Sequence, residues 1–228
     1  MPLLVLWDVD YTLLHTGGAG REWSLAALAE VLGRPVRFGD ISGRTEKAIV
    51  YGVLRELGIE PAPGYVERYA RVLATRYGRD AGELVRRGGV LAGVREVLTA
   101  LAGYPDVIQT LVTGNVPEIA AAKLRAFDLA GHLNLEMAAY GGEHEDRAEL
   151  VRLARRRAGM AAADGRDTVV VGDTVNDVVA ARAAGVRVLA VATGTATVEE
   201  LAAAGADRVL PDLTDTPVVL DALFAGHQ

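Results

Sequence analysis

The stretch from Leu3 to Leu14 constrains the fold of this chain more than any other part of the sequence. It starts with the run Leu-Leu-Val-Leu-Trp, and an apolar run without polar alternation is typical of a strand buried on both faces of a sheet. Two carboxylates, Asp8 and Asp10, follow at once. Because a buried carboxylate needs a cation or hydrogen bonds, we expect the strand to end where the acids begin. Residues two apart in an extended segment point the same way, so both carboxylates should project from the carboxyl end of this strand.

Strand and helix signals alternate through the second half of the chain. The predicted strands are short and mostly apolar, and they span residues 107–112, 133–137, 168–171, 187–192 and 207–210. The predicted helices flank them and span residues 94–101, 117–127, 146–158, 175–184 and 198–204. Strands that alternate with helices form parallel sheets. The pattern therefore predicts an α/β fold, a Rossmann-like parallel sheet with helices on both faces.

The region directly after the first strand differs from the rest because it shows helical periodicity and no strand signal. The predicted helical segments span residues 21–32, 46–57, 65–77 and 80–87. Thr45 is the expected N-cap of the second segment. We therefore predict an all-helical cap, residues 16–88, inserted into a core made of residues 1–15 and 89–228.

The composition argues against several classes of function. The formal net charge of −6 disfavours nucleic acid or an anionic membrane as the main partner. The chain contains no cysteine, which excludes disulfides, thiolate zinc sites and a cysteine nucleophile. No apolar stretch reaches the roughly 18 residues of a membrane helix, and the N-terminus lacks the basic region of a signal peptide. We expect a cytoplasmic protein that is a monomer or a weak dimer.

Polar side chains follow three of the predicted strands at the point where each strand ends. They are Asp8 and Asp10, Thr113, and Asp173 with Asp177 one helical turn later. Because the carboxyl ends of parallel strands meet at one edge of a sheet, we expect these groups to converge there. An anionic ligand at that edge needs a cationic side chain. Arg147, near the start of the helix at 146–158, is the best candidate.

Together these residues resemble the four sequence motifs of the haloacid dehalogenase superfamily. The motifs are Asp8-Val-Asp10-Tyr-Thr12, Thr113-Gly114-Asn115, a basic residue at Arg147, and Gly172-Asp173-Thr-Val-Asn-Asp177. The helical insertion resembles the C1-type cap of the subgroup that includes phosphoglycolate phosphatase-like enzymes. The resemblance extends over residues 3–212, and its specificity comes from the four motifs occurring together in order.

This resemblance implies a reaction and a cofactor. Asp8 would attack the phosphorus of a phosphate ester and form an aspartyl-phosphate. Asp10 would protonate the leaving oxygen and then activate water to hydrolyse the intermediate. A Mg²⁺ ion would be held by Asp8, the carbonyl of Asp10 and Asp173, and Asp177 would complete the metal site by orienting metal-bound water or the basic residue.

The resemblance also implies the residues that bind the substrate. Thr113, the amide of Gly114 and Asn115 would contact the phosphoryl oxygens, and Arg147 would neutralise their charge. Arg44, in the sequence Ser-Gly-Arg-Thr of the predicted cap, resembles a position that contacts substrate in related caps. A surface arginine near a helix start is an equally good interpretation of Arg44.

Two positions depart from the family pattern. Tyr11 stands where the family usually has glycine, and its ring is expected to face the cap and shape the substrate pocket. The basic residue is commonly lysine, but Lys47 and Lys123 are the only lysines and neither is predicted to fill that position. Arginine is chemically tolerable there because it binds anions bidentately and stays charged. The alternative for Arg147 is a solvated helix residue, as predicted for the arginines at 152–157.

The leading functional hypothesis is a Mg²⁺-dependent phosphatase that hydrolyses a small, soluble phosphate ester under a cap that opens and closes. A phosphomutase of the same family shares every motif and stays open as an alternative. A receiver-like signalling module phosphorylated on Asp8 is a rival of another class, disfavoured by the long helical insertion and by Asp10. A non-catalytic binding protein is disfavoured because no acid of the motifs is missing.

Overall fold

The computed structural model describes residues 2–37, 39 and 41–227, and its centre is a parallel sheet of six strands. The strands of the protein are β1 (Leu3–Trp7), β2 (Leu14–His15), β3 (Gly89–Val90), β4 (Val107–Thr113), β5 (Ala139–Tyr140), β6 (Thr168–Gly172), β7 (Arg187–Val191) and β8 (Arg208–Leu210). The order in the central sheet is β5-β4-β1-β6-β7-β8, and every neighbouring pair is parallel. The predicted Rossmann-like α/β core is confirmed.

β1 lies in the middle of the sheet, and all five of its residues are fully buried. Alternate side chains of a strand point to opposite faces. Leu3, Val5 and Trp7 accordingly belong to one hydrophobic cluster, and Leu4 and Leu6 belong to a second. Two buried faces explain why this segment shows no polar alternation in the sequence.

The helices cover both faces of the sheet and form the inserted cap. They are α1 (Ala19–Leu32), α2 (Glu46–Glu56), α3 (Pro63–Arg79), α4 (Ala81–Arg87), α5 (Val94–Ala102), α6 (Pro117–Ala126), α7 (Arg147–Arg157), α8 (Val175–Ala183), α9 (Val198–Ala203) and α10 (Thr216–Phe224). Thr45 caps α2 as predicted, because its hydroxyl accepts a hydrogen bond from the amide of Ala48 at 3.1 Å. No helix in the described part of the chain is long and apolar enough to span a membrane.

A small antiparallel ribbon, which the sequence did not predict, lies where the chain enters and leaves the cap. β2 and β3 pair through Leu14 with Val90 and His15 with Gly89. Strands of two residues are too short to show a sequence period. The ribbon lies near the boundaries predicted at 15 and 89, and the division into two domains remains a prediction.

The strand predicted at residues 133–137 is wrong. The segment turns instead, because the Asn134 side chain accepts a hydrogen bond from the amide of Glu136 at 3.1 Å. The edge strand β5 forms just afterwards and pairs Ala139 with Val112. Two residues of strand give no detectable alternation, whereas the apolar residues of the turn imitate one.

Candidate active site

Three strands of the central sheet end side by side, so the predicted acids that follow them lie close together. Trp7 is paired with Leu111 on one side and with Val171 on the other, so β1, β4 and β6 end at nearly the same level. The amide of Asp8 continues the sheet by donating to the carbonyl of Val171 at 2.9 Å. The register therefore places the residues after these strands around a common crevice, as expected for a parallel sheet.

Asp8, Asp173 and Asp177 form a buried acidic cluster in this crevice. One carboxylate oxygen from each lies within 4.8 Å of the others, and their exposures are 6%, 2% and 0%. Burial raises the pKa of Asp8 to about 7 despite the lowering by Arg147, and the charges of Asp177 and Asp10 add to the increase. Burial, followed by repulsion from Asp177 and Asp8, also raises the pKa of Asp173. Carboxylates in this arrangement fit a hard divalent cation, which would relieve their mutual repulsion.

Arg147 occupies the centre of the acidic cluster. Its Nη2 lies 2.6 Å from Oδ1 of Asp8 and 2.6 Å from Oδ1 of Asp177, and Nη1 donates to the carbonyl of Gly43 at 3.1 Å. Asp146 caps α7 by accepting from the amide of Ala148, so Arg147 begins the helix and points into the crevice. At 7% exposure it is not the solvated helix residue of the alternative interpretation.

Asp177 has a capping role and a site role at once. Its Oδ2 accepts hydrogen bonds from the amide and the hydroxyl of Thr174, at 3.1 and 2.6 Å, which completes the capping box at the start of α8. The other oxygen faces Arg147. Thr12, from the first motif, donates to Oδ1 of Asp173 at 3.2 Å and holds that carboxylate in the cluster.

The residues after β4 connect this cluster to Asp10. The Nδ2 of Asn115 donates to Oδ2 of Asp10 at 2.8 Å and to the hydroxyl of Thr113 at 2.9 Å. Gly114 lies directly under the cap, where a Cβ would be 2.4 Å from the carbonyl oxygen of Arg44. Only a residue without a side chain allows this close approach of two backbones.

Lys123 is a site residue that the sequence analysis missed. Its Nζ lies 2.8 and 2.6 Å from the two carboxylate oxygens of Asp10 and 2.6 Å from Oδ1 of Asn115, and the residue is only 4% exposed. Burial alone would lower the pKa of Lys123, but Asp10 and Tyr77 raise it above its ordinary value. A usable signal was present, because one of only two lysines lies between Ala120 and Leu124 on the apolar face of α6.

The remaining predicted residues lie at the edge of the site. Arg44 is exposed, and its guanidinium lies along α2, where Nη2 donates to the carbonyl of Ala48 at 3.2 Å. Tyr11 lines the cavity with an exposure of 43%. In the cluster at 152–157, Arg152 pairs with Glu149 and Arg157 with Glu143, as expected for a helix face. Arg155 is buried instead and donates to the carbonyl of Ala163 at 2.7 Å, so the prediction of a solvated face is wrong for this residue.

A cavity of about 350 Å³ separates the acidic cluster from the cap. From the core it is lined by Asp8, Asp10, Lys123, Arg147 and Asp173, and from the cap by Arg21, Ser24, Ile41, Glu46, Leu73 and Tyr77. Main-chain hydrogen bonds close its rim, since the amides of Glu46 and Lys47 donate to the carbonyls of Gly114 and Gly141 at 2.8 and 2.9 Å. The site is therefore a partly open pocket between core and cap that fits a small ligand.

An α/β core with clustered acids at its strand ends and helices inserted above them defines an enzyme of the capped hydrolase type. Residues 5–182 match the model of the haloacid dehalogenase-like hydrolases, and the chain belongs to that family. The predicted family and the predicted fold, a Rossmann-like core with a helical cap, are confirmed. No curated protein matches the chain in sequence.

Solved structures share the fold over nearly the whole chain. A predicted phosphatase from Clostridium acetobutylicum has a TM-score of 0.71 at 17% identity, with 97% of this chain and 99% of that chain covered. A predicted phosphoglycolate phosphatase from Haemophilus somnus has a TM-score of 0.67 at 18% identity, covering 96% and 98%. A putative β-phosphoglucomutase from Thermotoga maritima has a TM-score of 0.61 at 20% identity, covering 96% and 98%. At these identities the similarity concerns the fold.

Proposed function

We propose that this hydrolase is a Mg²⁺-dependent phosphatase that cleaves a small phosphate monoester through an aspartyl-phosphate on Asp8. The observation that carries the proposal is the position of Asp8. Its carboxylate lines the cavity under the cap, 2.6 Å from Arg147 and within 4.8 Å of the ligand atoms of Asp173 and Asp177. A nucleophile, a fixed cationic side chain and a set of oxygen ligands are the components that phosphoryl transfer requires.

The residues present fit the cation that the family implies. Asp8, Asp173 and the main-chain carbonyl of Asp10 would hold Mg²⁺ in this proposal, while Asp177 keeps Arg147 in place. The raised pKa values of Asp8 and Asp173 support this assignment, because such carboxylates are stabilised by a divalent charge. When bound, the ion supplies Lewis-acid stabilisation of the phosphoryl oxygens and reduces their repulsion from Asp8.

The proposed reaction has two steps that use the same pair of acids. In the first, Oδ of Asp8 forms a bond to phosphorus, the bond from phosphorus to the ester oxygen breaks, and Asp10 gives its proton to that oxygen. In the second, Asp10 takes a proton from water, whose oxygen attacks phosphorus and breaks the bond to Asp8. Inorganic phosphate leaves, and both acids return to their starting state.

The same proposal assigns the binding of the phosphoryl group. The side chain of Arg147 would exchange part of its contact with Asp8 for the phosphoryl oxygens, which carry more charge as the bond to the leaving group breaks. Thr113, the amide of Gly114 and Asn115 would complete this contact. Arg44 would reach substrate from the cap only if its side chain turns away from Ala48. The cavity volume of about 350 Å³ favours a small leaving group.

A broad panel of phosphate esters, assayed for phosphate release with Mg²⁺, tests the proposal. We expect turnover of at least one ester and a loss of at least about a thousandfold in Asp8→Asn. Asp106→Asn removes an exposed acid remote from the cavity and should retain full activity. A protein that hydrolyses no ester, or an Asp8→Asn variant that keeps its activity, would contradict the proposal.

The same assay separates the alternatives. A requirement for a bisphosphate activator, with an isomeric phosphate as product, would identify a phosphomutase. A single phosphorylation of Asp8 without turnover would identify a signalling module. A cytoplasmic location and a monomeric or weakly dimeric state remain predictions.

A further inference from the structure

Lys123 has no role in the reaction described above, and yet it is buried in the site and hydrogen-bonded to two of its residues. Its Nζ donates two hydrogen bonds to the carboxylate of Asp10 and one to Oδ1 of Asn115, at 2.6 to 2.8 Å. Asn115 in turn donates to Oδ2 of Asp10 at 2.8 Å. Both carboxylate oxygens of Asp10 are thereby held by neighbours.

Burying the ammonium group of Lys123 costs desolvation free energy. Its side chain is 5% exposed, and an ammonium group removed from water loses hydration worth several kcal/mol unless partners replace it. A fully apolar residue would fill the same place on α6 between Ala120 and Leu124 without that penalty. The partner that replaces water is Asp10, whose side chain is 34% exposed and lines the cavity.

We infer that Lys123 is the positioning residue of Asp10, holding its carboxylate at the angle from which it transfers protons to the leaving oxygen and from water. The inference rests on the proposed phosphatase function. Lys123 acts through Asp10, since its Nζ donates to both carboxylate oxygens of that residue. Asn115 shares this role and links Asp10 to Thr113 at the end of β4.

A positioning role for Lys123 predicts different effects on two kinds of phosphate ester, whereas a merely structural role predicts the same effect on both. An alkyl phosphate needs a proton on its leaving oxygen, whereas 4-nitrophenolate leaves from its phosphate ester without one at neutral pH. A misplaced Asp10 should therefore slow the first step for the alkyl ester and leave the first step for the aryl ester, which kcat/KM reports, almost unaffected. Damage to the fold, to Mg²⁺ binding or to Asp8 should slow both esters equally.

The test compares kcat/KM for glycerol 2-phosphate and for 4-nitrophenyl phosphate, with Mg²⁺, in the full-length protein. In Lys123→Met, which keeps the length of the side chain and removes the charge, we expect a loss of about 30-fold or more for the alkyl ester and less than about 3-fold for the aryl ester. For the aryl ester kcat and KM should fall together, because a misplaced Asp10 also slows hydrolysis of the aspartyl-phosphate, a step that does not enter kcat/KM. Lys47→Met removes the only other lysine, which does not line the cavity, and should leave both values unchanged.

A double-mutant cycle with Asp10→Asn completes the test. If Lys123 acts through Asp10, Lys123→Met should cost less than about 2-fold more once Asp10→Asn is present. Equal losses on the two esters, or additive losses in the cycle, would overturn the inference. Lys123→Gln, which keeps a hydrogen-bond donor, provides the same comparison if the Met variant does not fold. Failure of the wild-type protein to turn over any ester, or activity in Asp8→Asn, would contradict the proposed function instead.

Discussion

Tyr11 shows how a single backbone angle explains a departure from a family pattern. Its φ is 58°, in the left-handed region that glycine adopts freely and that other residues enter at a cost of about 1–2 kcal/mol. The sequence marks Tyr11 only because the family usually has glycine there. The backbone conformation gives the physical reason for that glycine, since the turn between Asp10 and Thr12 requires a positive φ.

We predict that Tyr11→Gly is more stable than Tyr11→Ala, by about 1 kcal/mol in the free energy of unfolding. Both changes remove the half-exposed ring, but only glycine relieves the positive φ. At most other positions alanine is the more stable of the two, because glycine has more freedom in the unfolded chain. Urea unfolding of the two variants measures the difference. An alanine variant as stable as the glycine variant would mean that the angle is not strained.

Which site residues the sequence predicted depends on how each one reaches the crevice. Asp8, Thr113 and Asp173 come directly from strand ends, and the order of strands and helices is enough to bring them together. Lys123 arrives from α6, on the second turn of that helix, and its direction depends on helix packing that no local pattern specifies. The position of the Arg44 side chain is likewise beyond the sequence, because a long side chain near a helix start has several directions open to it.

At the scale of the elements, the start of α2 contacts the core directly. Glu46 is the first residue of this helix, and its Oε2 accepts a hydrogen bond from the amide of Val116 at 2.7 Å. Val116 is the N-cap of α6 and has no side-chain cap of its own. A buried carboxylate of the cap therefore accepts a hydrogen bond from the main chain at the start of a core helix. Its burial raises the pKa of Glu46 from 4.5 to about 7, although Val116 and Lys123 lower it.

This pKa gives a prediction for the dependence of stability on pH. Between pH 4.5 and about 7 the folded protein keeps the proton on Glu46 and the unfolded chain releases it. The contribution of Glu46 protonation to the free energy of unfolding is fully present below pH 4.5, and it is lost as the pH rises through about 7. Since one pKa unit corresponds to about 1.4 kcal/mol, the whole effect is at most about 3 kcal/mol.

Glu46→Gln keeps the acceptor for Val116 and removes the charge, so we expect it to match the wild type at pH 4.5 and to exceed its stability at pH 8. Glu56→Gln changes an exposed glutamate at the other end of the same helix and should match the wild type at both pH values. Thermal unfolding without Mg²⁺ at both pH values provides the comparison. An equal difference at pH 4.5 and pH 8 would show that Glu46 does not titrate in this range.

Most helices were predicted, but α10 was missed because no element was predicted after residue 210, and the two-residue strands were missed as well. α1, α3, α7 and α8 follow from apolar residues at helical spacing and from caps such as Thr174. β2, β3 and β5 have two residues each, and their pairing is decided by partners far along the chain. The wrong strand at 133–137 has the same origin, because the turn at Asn134 is stabilised by a side-chain hydrogen bond that an apolar pattern does not reveal.

At the scale of the whole molecule, binding of the proposed cation should be visible in stability. A ligand that binds only the folded state at a concentration one hundred times its Kd stabilises it by about 2.7 kcal/mol, which is roughly 5–10 °C in Tm for a chain of this size. We expect Mg²⁺ to raise the Tm of the wild type by this order and to have little effect on Asp173→Asn. Asp106→Asn is the matched control and should respond like the wild type.

The pH dependence of this binding has a definite sign. Because burial raises the pKa of Asp8 to about 7 and raises that of Asp173 too, a cation must displace protons from the metal-free site. The apparent affinity for Mg²⁺ should therefore increase from pH 6 to pH 8. Titration calorimetry at the two pH values tests this sign. An affinity that falls with rising pH would place the cation elsewhere.

The architecture as a whole was predictable because the alternation of strands and helices leaves few arrangements for a parallel sheet. The closure of the cap was not. It depends on contacts between residues 41–47 and the loops at Gly114 and Gly141, which are 67 or more positions apart and follow no pattern in the sequence.

Because the main chain forms these bonds between cap and core, the side chains that line the cavity can change without breaking them. The amides of Glu46 and Lys47 bind the carbonyls of Gly114 and Gly141, so these two bonds do not depend on which side chains the cap presents. Ser24, Ile41, Leu73 and Tyr77 line the cavity and contribute none of these bonds. A library randomised at those four positions should therefore alter the accepted leaving groups and leave these two bonds intact, so that new specificities arise without rebuilding the chemistry below.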